Sequence, residues 1–327
     1  MTSGLTPYPG RPSRAALATA LATLYVVWGS TYLAIAVLVD DAPPLTSAGT
    51  RFLLAGSLLA LFLYIARHRR SVVLRRDEIF AAAGVSMLTL YAAFSLLFLG
   101  ETRVPSGLAA LTIASIPLWV VVLRLVGREP VDRLILLAVA VGFLGVAALL
   151  VPGAHAAVPV AWILVVLGAA ISEATGSFLA QRVRLPDDPL LSATVQMLFA
   201  GALTLVTGLA IGERVAVDDI SVEALVALAY LVVPGSVLAY TAFVWILQNT
   251  SASTATTYAY VNPVIALFLG WALVEEPVSA LTLASAAIIV TSVAVVLRRE
   301  AHVSHQAPPR VAARAGSPTP TGRTAAP

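Results

Sequence analysis

The sequence contains no cysteine, and only 11% of its 327 residues are charged. The lack of cysteine excludes disulfides, thiol catalysis and zinc sites built on cysteine. The low charge excludes an ordinary water-soluble domain, in which about a quarter of the residues are charged. The net charge of +3 is too small to indicate nucleic acid as a partner. With 59% hydrophobic residues, the chain is expected to be a polytopic protein of a lipid bilayer.

Residue types that carry catalysis or bind cofactors are also scarce. The four histidines lie in predicted loops or tails without ligand-like neighbours, so we expect neither a metal site nor a cofactor. No histidine in an apolar segment can act as a base, and no HExxH motif occurs, so we do not expect an enzyme. No ATP-binding loop is present either, so we do not expect the protein to draw energy from ATP.

Ten apolar segments are present, each close to the roughly 20 residues that span a bilayer. They lie at 15–39, 46–66, 79–99, 104–125, 133–151, 159–181, 190–211, 221–246, 253–273 and 279–297. The expected fold is all-α, with ten transmembrane helices. Residues 1–14 are expected to be a tail, and residues 299–327 a disordered tail, because this segment is rich in proline, alanine and polar residues.

The arginines predict the orientation of the chain in the membrane. All 20 basic residues are arginine. If the N-terminus is cytoplasmic, the inner loops and tails hold 17 of the 20, and the opposite orientation would place this excess outside. The distribution therefore predicts a multi-pass protein of the cytoplasmic membrane with both termini in the cytoplasm.

The chain repeats itself at a spacing of 145 to 149 residues. The segment PLTSAGTRFLLAGSLLAL (44–61) aligns without gaps to PLLSATVQMLFAGALTLV (189–206), and eight of the eighteen pairs are identical. YAAF and YTAF, Pro117 and Pro263, and two EPV motifs continue the match. The repeat predicts two five-helix halves, residues 15–151 and 159–298.

An odd number of spans in each half means that the second half enters the membrane from the opposite side. Inverted repeats of this kind are typical of secondary transporters, whose substrate site lies near the midplane between the halves. The same packing can then open to either side when the halves exchange roles. The alternative is an old duplication without transport.

Four segments resemble the EamA type of the drug/metabolite transporter superfamily. These segments are WGSTY (28–32), RFLLAG (51–56), SGLAALTIASIPLWVVVLRLVGREP (106–130) and ASTATTYAYVNPVIALFLGWALVEEP (252–277). The resemblance covers residues 15–298. It implies a helical basket with a central cavity and an exporter of amino acids or other small metabolites, without naming the substrate. The second half departs from the pattern, because Glu173 aligns with Trp28 and Gln196 with Arg51.

Polar and aromatic side chains share helix faces in several predicted spans. The first stripe holds Tyr25, Trp28 and Tyr32, with Ser30 and Thr31 beside it. Others hold Tyr91, Phe94 and Ser95; Thr112, Ser115 and Trp119; Tyr240 and Phe243; and Tyr258 and Asn262. We expect them to line the substrate cavity, with ordinary packing as the alternative. Interfacial anchoring is a further alternative for the first stripe, although Trp28 lies about halfway along its span. Pro117 and Pro263 are expected to bend their helices and to shape the bundle or its gating.

Two charged residues lie within predicted spans. Glu173 is near the middle of the sixth, where a carboxylate is costly, so it should face the protein interior. It could couple protons or bind a substrate amine, or it could be a structural partner of Ser177 or of a neighbouring helix. Arg51 could meet a substrate carboxylate, pair with Glu173, or extend outward to Asp40 or Asp41.

The sequence therefore predicts a secondary transporter working by alternating access, with a small-molecule metabolite as substrate and proton coupling as one option. A channel would be expected to have a continuous polar stripe or a ring of charges, and the polar positions here are scattered. A channel-like or scaffold protein without active transport is the alternative. The sequence leaves open whether the protein is a monomer or a homodimer.

Overall fold

The computed structural model describes residues 13–66, 75–151, 158–215, 220–250, 254 and 256–306, and within these ranges the chain forms helices and no strand. Eight helices are long and apolar enough to cross a membrane, and two 17-residue helices, Arg133–Leu149 and Tyr258–Val274, are also apolar. The predicted all-α membrane fold is thereby confirmed. The helices are α1 (Arg14–Asp41), α2 (Pro44–Ala66), α3 (Arg76–Glu101), α4 (Ser106–Val126), α5 (Arg133–Leu149), α6 (Val160–Ala180), α7 (Pro189–Ala210), α8 (222–249), α9 (Tyr258–Val274) and α10 (Ala280–Gln306).

Local side chains fix several helix starts. Asp188 accepts a hydrogen bond from the backbone N–H of Leu190 at 2.9 Å and begins α7, and Asp132 does the same for Leu134 at the start of α5. At the other end of the chain, α10 continues to Gln306, so the first residues of the predicted C-terminal tail are helical. The remainder of that tail and residues 1–12 lie outside the described residues.

The two copies of the quoted repeat form one antiparallel seam, α2 against α7. A Cβ atom at Gly56 would lie 3.0 Å from Leu198 Cγ, and one at Gly201 would lie 2.6 Å from the backbone N of Leu53. Gly56 aligns with Gly201, and Leu53 aligns with Leu198. Each contact is thus the other with the halves exchanged, which is the pattern that a two-fold axis produces. Glycine is needed here because the backbones approach so closely.

A second seam, α5 against α10, repeats this exchange. The small residue Gly142 faces Ser292, and Gly145 faces Ile289. The EPV motifs set the spacing of this part of the repeat at 147 residues, which aligns Gly142 with Ile289 and Gly145 with Ser292. The packing of α1 and α6 on the opposite halves is exchange-symmetric too, because α1 packs on α8 and α9 while its counterpart α6 packs on α3 and α4. The halves are therefore related by a pseudo-two-fold axis.

Three spans are interrupted near their middles. Residues Met87–Ala92 of α3 and Leu231–Leu238 of α8 are π-helical, at corresponding places in the two halves. In α4, the helix breaks between Ile113 and Ile116, and Pro117 lies in the first turn after the break. Pro263 lies inside α9. Interruptions of this kind free backbone carbonyls within the membrane, and side chains of the same helix or of neighbouring helices can satisfy them.

Candidate functional site

The aromatic residues of the first predicted stripe meet those of α8 and α9. The Trp28 ring centroid lies 4.9 Å from that of Tyr258, edge to face, and 5.4 Å from that of Phe243. Phe243 also contacts Tyr240 and Tyr258, at centroid distances of 6.1 and 5.7 Å. Tyr25 shares a hydrogen bond with Thr257 just before α9. We call Tyr25, Trp28, Tyr240, Phe243 and Tyr258 the aromatic cluster, and its rings are packed on one another in this structure.

The π-helical turn of α8 holds Trp28 in place. Trp28 Nε1 donates to the Gly235 carbonyl oxygen at 3.0 Å, and Ser30 Oγ shares a hydrogen bond of 2.6 Å with the Tyr230 hydroxyl. Thr31 is buried, donates to the Trp28 carbonyl oxygen at 2.7 Å and packs on Gly235. The other half repeats the arrangement, since Ser172 in α6 donates to the Leu88 carbonyl oxygen at 2.9 Å in the π-helical turn of α3. Both π-helical turns therefore receive a donor from the opposite half.

Glu173 is half-buried and lies beside the aromatic cluster. Its electrostatic neighbours are the phenol groups of Tyr258 and Tyr32. Among the residues that the structure describes, none forms an ion pair or a hydrogen bond with Glu173, so the suggested bond to Ser177 is not formed. The carboxylate is therefore available to an amine, a cation or a proton.

Arg51 is buried between the halves, with 4% of its surface exposed. Its Nε donates to Ser236 Oγ at 3.1 Å, and the guanidinium carbon lies 5.2 Å from the Phe52 ring centroid and 5.4 Å from that of Phe94. The suggested outward extension to Asp40 or Asp41 is therefore wrong. Arg51 also forms no ion pair with Glu173 within the described part of the chain.

Gly235 and Ser236 connect the first aromatic stripe with Arg51. Adjacent residues of the π-helical turn thus bind Arg51 and Trp28, and a Cβ at Gly235 would lie 3.1 Å from Thr31 Cγ2 and 3.7 Å from Arg51 Nη2. Ser236 Oγ itself donates to the Leu231 carbonyl oxygen five residues earlier, at 2.9 Å. This bond satisfies a carbonyl of the π-helical turn and orients the hydroxyl oxygen toward Arg51. The sequence PGS (234–236) is consequently part of the site.

Glu101 is a candidate residue that the sequence analysis missed. It is the last residue of α3, is 5% exposed and has Arg51 and Glu276 as electrostatic neighbours. The predicted third span ends at residue 99, which placed Glu101 in a loop. The arginine on a neighbouring span was the signal that could have found it, because a buried arginine needs compensating charge.

The other predicted residues are distributed over several interfaces. Tyr91 shares a hydrogen bond of 3.2 Å with Thr207 of α7, and Phe94 packs edge to face on Phe52. Trp119 packs on Phe143 of α5 at 4.8 Å between centroids. Thr112 and Ser115 donate to carbonyl oxygens of their own helix. Among these predicted residues, the buried polar atoms without a hydrogen-bond partner in the described part of the chain include Ser95 Oγ, Trp119 Nε1 and Asn262 Oδ1.

An open groove lies elsewhere, beside the loop after α9. Its volume is about 570 Å³, and its walls are Trp271, Ala272, Glu275, Glu276, Pro277 and Val278. The described residues contain no group of three histidine, aspartate or glutamate side chains that could hold a metal ion. The chemistry that these residues offer is therefore binding by aromatic faces, single charges and hydrogen bonds.

Comparison with known proteins agrees with this architecture. The model of the EamA-like transporter family matches residues 15–151 and 160–298. The uncharacterized inner membrane transporter YedA of Escherichia coli (strain K12) is 34% identical over 278 residues, which cover 85% of this chain and 89% of that protein. Protein PecM of Dickeya dadantii is 28% identical over 285 residues, covering 84% and 92%. A crystal structure with 17% sequence identity shares the fold at a TM-score of 0.58, over 88% of this chain and 99% of that one. The chain is a multi-pass inner-membrane transporter and belongs to the EamA-like transporter family.

Proposed function

We propose that this transporter is a secondary exporter of a small amphipathic metabolite, with an amino acid as the first candidate, and that it works by alternating access. The exchange-symmetric packing of the two halves carries the proposal. Two halves whose seam contacts occur twice, once in each direction, can exchange conformations and expose a common site to either side. Export as the direction rests on the family resemblance.

The surroundings of Trp28 and Glu173 support an amphipathic substrate. Aromatic faces bind apolar groups and cations, and an unpaired carboxylate binds an amine. Arg51 is the only buried arginine among the described residues, whereas a multiply phosphorylated substrate would require several clustered arginines. The counterpart of Arg51 in the second half is the neutral Gln196, so the two sides of the site differ in charge.

Solute counterflow in proteoliposomes tests the carrier mechanism. Vesicles are loaded with an unlabelled amino acid, diluted, and given a trace of the labelled one, with all twenty amino acids taken in turn. A carrier gives a transient accumulation of label that saturates with concentration. Flux without this overshoot would indicate a channel, and no flux for any amino acid would overturn the proposed substrate class.

Glu173→Gln tests whether the carboxylate couples transport to protons. Glu223→Gln is the matched control, because Glu223 is exposed at the start of α8. If Glu173 carries the proton, the variant keeps counterflow but loses its response to an imposed pH gradient. An unchanged response to the gradient removes Glu173 from coupling.

A further inference from the structure

Arg51 has hydrogen-bonding capacity that is not used in the interior of the bundle. Its Nε is bound to Ser236, whereas Nη1 is buried and has no hydrogen-bond partner among the described residues. The rings of Phe52 and Phe94 pack beside the guanidinium and restrict its position. A guanidinium held in this way presents its free nitrogens to a planar anion such as a carboxylate.

Glu101 is in the same situation with the opposite charge. Both of its carboxylate oxygens are buried, and neither has a donor at hydrogen-bonding geometry in the described part of the chain. The polar groups around it include Arg51, Glu276, the phenol of Tyr32 and the backbone N–H of Ala36. Glu276 is already bound to the start of α4, where it accepts hydrogen bonds from Ser106 and Gly107. Glu101 therefore lacks a cationic partner that touches it.

Arg51 and Glu101 interact electrostatically but do not form an ion pair, so their charged atoms lie more than 4.0 Å apart. Buried opposite charges usually close on each other, because each is costly to bury alone. Here α2 and α3 hold them apart. A small zwitterion has a carboxylate and an ammonium group separated by one carbon atom, and it supplies the partner that each side chain lacks.

We propose that Arg51 and Glu101 form an outer subsite for a zwitterion, with Arg51 binding the carboxylate and Glu101 the ammonium group. This inference rests on the proposed amino acid transport and adds a second position along the route. Tyr32 connects the two positions, because its phenol is an electrostatic neighbour of Glu173 and Tyr258 as well as of Glu101 and Arg51. A substrate leaving Glu173 toward the outer side would meet this subsite next.

Matched ligands that lack one charge test the subsite. Competition against the best labelled amino acid is measured in proteoliposomes with that amino acid, its decarboxylated amine and its deaminated acid. For leucine these analogues are 3-methylbutylamine and 4-methylpentanoate. Wild type should prefer the zwitterion to either analogue by about tenfold or more, because each lost charged contact is worth that much.

The variants should each remove one preference and keep the other. Arg51→Gln should reduce the preference for the zwitterion over the amine to about threefold or less, and Glu101→Gln should do the same for the acid. The exposed outer residues Arg103 and Glu275, changed to glutamine, are the controls. If a single variant does not fold, the double variant, which removes both buried charges together, should lose both preferences.

Two outcomes would overturn the subsite. If Arg51→Gln and Glu101→Gln weaken all three ligands equally, the pair is structural. If both preferences survive, the zwitterion is bound elsewhere. In either case wild-type counterflow is intact, so the proposed function stands. Absence of saturable competition by any amino acid in wild type would reject both the subsite and the proposed substrate class.

Discussion

Polar contacts join the two halves at both the outer and the inner end of the bundle, but their chemistry differs. We name the ends by the arginine distribution. At the outer end, Glu276 and Glu213 of the second half each accept hydrogen bonds from two backbone N–H groups at the start of a first-half helix. The bonds are Ser106 and Gly107 to Glu276, at 2.7 and 3.0 Å, and Leu45 and Thr46 to Glu213, at 3.1 and 2.7 Å.

At the inner end, the ties are arginine–carboxylate ion pairs. The four pairs that join the halves are Arg124–Glu300, Arg182–Glu129, Arg184–Glu78 and Arg299–Asp132. Their arginine side chains are 27% to 60% exposed. Exposed ion pairs contribute about 0 to 1 kcal/mol and weaken in salt.

The difference indicates which end opens first. A carboxylate at a helix N-terminus gains from charge-assisted hydrogen bonds and from the helix dipole. The outer carboxylates are half-buried, whereas three of the four inner arginines are exposed. We therefore expect the empty protein to open more readily to the cytoplasm. An exporter loads its substrate from that side, so this order agrees with the proposed direction.

Both ends are expected to move about the central seam between α2 and α7. The substitution Gly201→Leu should disrupt that seam. The side chain would meet the backbone of Leu53, so we expect a loss of roughly 3 kcal/mol in folding free energy. Gly84→Leu is the control, because a Cβ at Gly84 meets nothing within 4 Å. Thermal unfolding in detergent measures the effect, and equal stability of the two variants would contradict the seam.

Glu276→Gln should open the outer end. The amide cannot accept from both Ser106 and Gly107 without turning its own NH₂ toward them, which costs about 2 kcal/mol, or roughly 30-fold in the open population. A single cysteine at the buried Leu108, in this cysteine-free chain, reports opening through labelling by a membrane-impermeant maleimide. The exposed Glu275 carries the same change as a control. Equal labelling in both variants would remove Glu276 from the outer closure.

Arg124→Gln should loosen the inner end by less. Arg124 binds Glu129 at 3.1 Å and also Glu300, and its partial exposure limits the expected loss to about 0.5–1 kcal/mol. A cysteine at Ser177 should label two to five times faster from the cytoplasmic side, and 1 M salt should abolish the difference. The exposed Arg128, changed to glutamine, is the control. A larger effect than that of Glu276→Gln would mean that the inner end is held closed more strongly than the outer end.

Asp132 should give the smallest effect, and only in acid. The backbone N–H of Leu134 and the Arg299 guanidinium hold the pKa of this partly exposed carboxyl below its usual range. Its contribution is therefore complete at neutral pH and is lost as the pH falls below about 4, through the lowered pKa. The difference in melting temperature between wild type and Asp132→Ala should stay constant from pH 8 to 5 and shrink below that. A difference that disappears near neutral pH would contradict this assignment.

Hydropathy and the internal repeat predicted the fold because both can be recognised in the sequence without knowing which helices contact each other. Apolar length marks each span, and the identity of Gly56 with Gly201 already indicated two similar helices. Across the α2–α7 seam, the glycine of each helix meets a leucine of the other. These reciprocal contacts follow from a two-fold axis between the two copies. Such an axis can be inferred from the odd number of spans, although the register cannot.

The site was less predictable because its contacts join residues that are distant in the sequence. Trp28 and Arg51 stood out by residue type, but their partners Gly235 and Ser236 are set by a π-helical turn that has no periodic signal. Glu101 was missed because it lies at the end of its span, where a charge is ordinary. That position is buried because other helices, α1 and α2 among them, pack against the last part of α3.

Access to Ser177→Cys from each side of the membrane tests alternating access most directly. Ser177 lies one turn after Glu173 on α6. In right-side-out and inverted vesicles, we predict that an impermeant maleimide reaches this cysteine faster from the cytoplasm, and faster from outside once Glu276→Gln is added. Equal labelling from both sides at the same time would indicate a continuous pore, and labelling by lipid-soluble maleimide alone would show that this face of α6 contacts lipid. Either result would contradict a carrier built from two inverted halves.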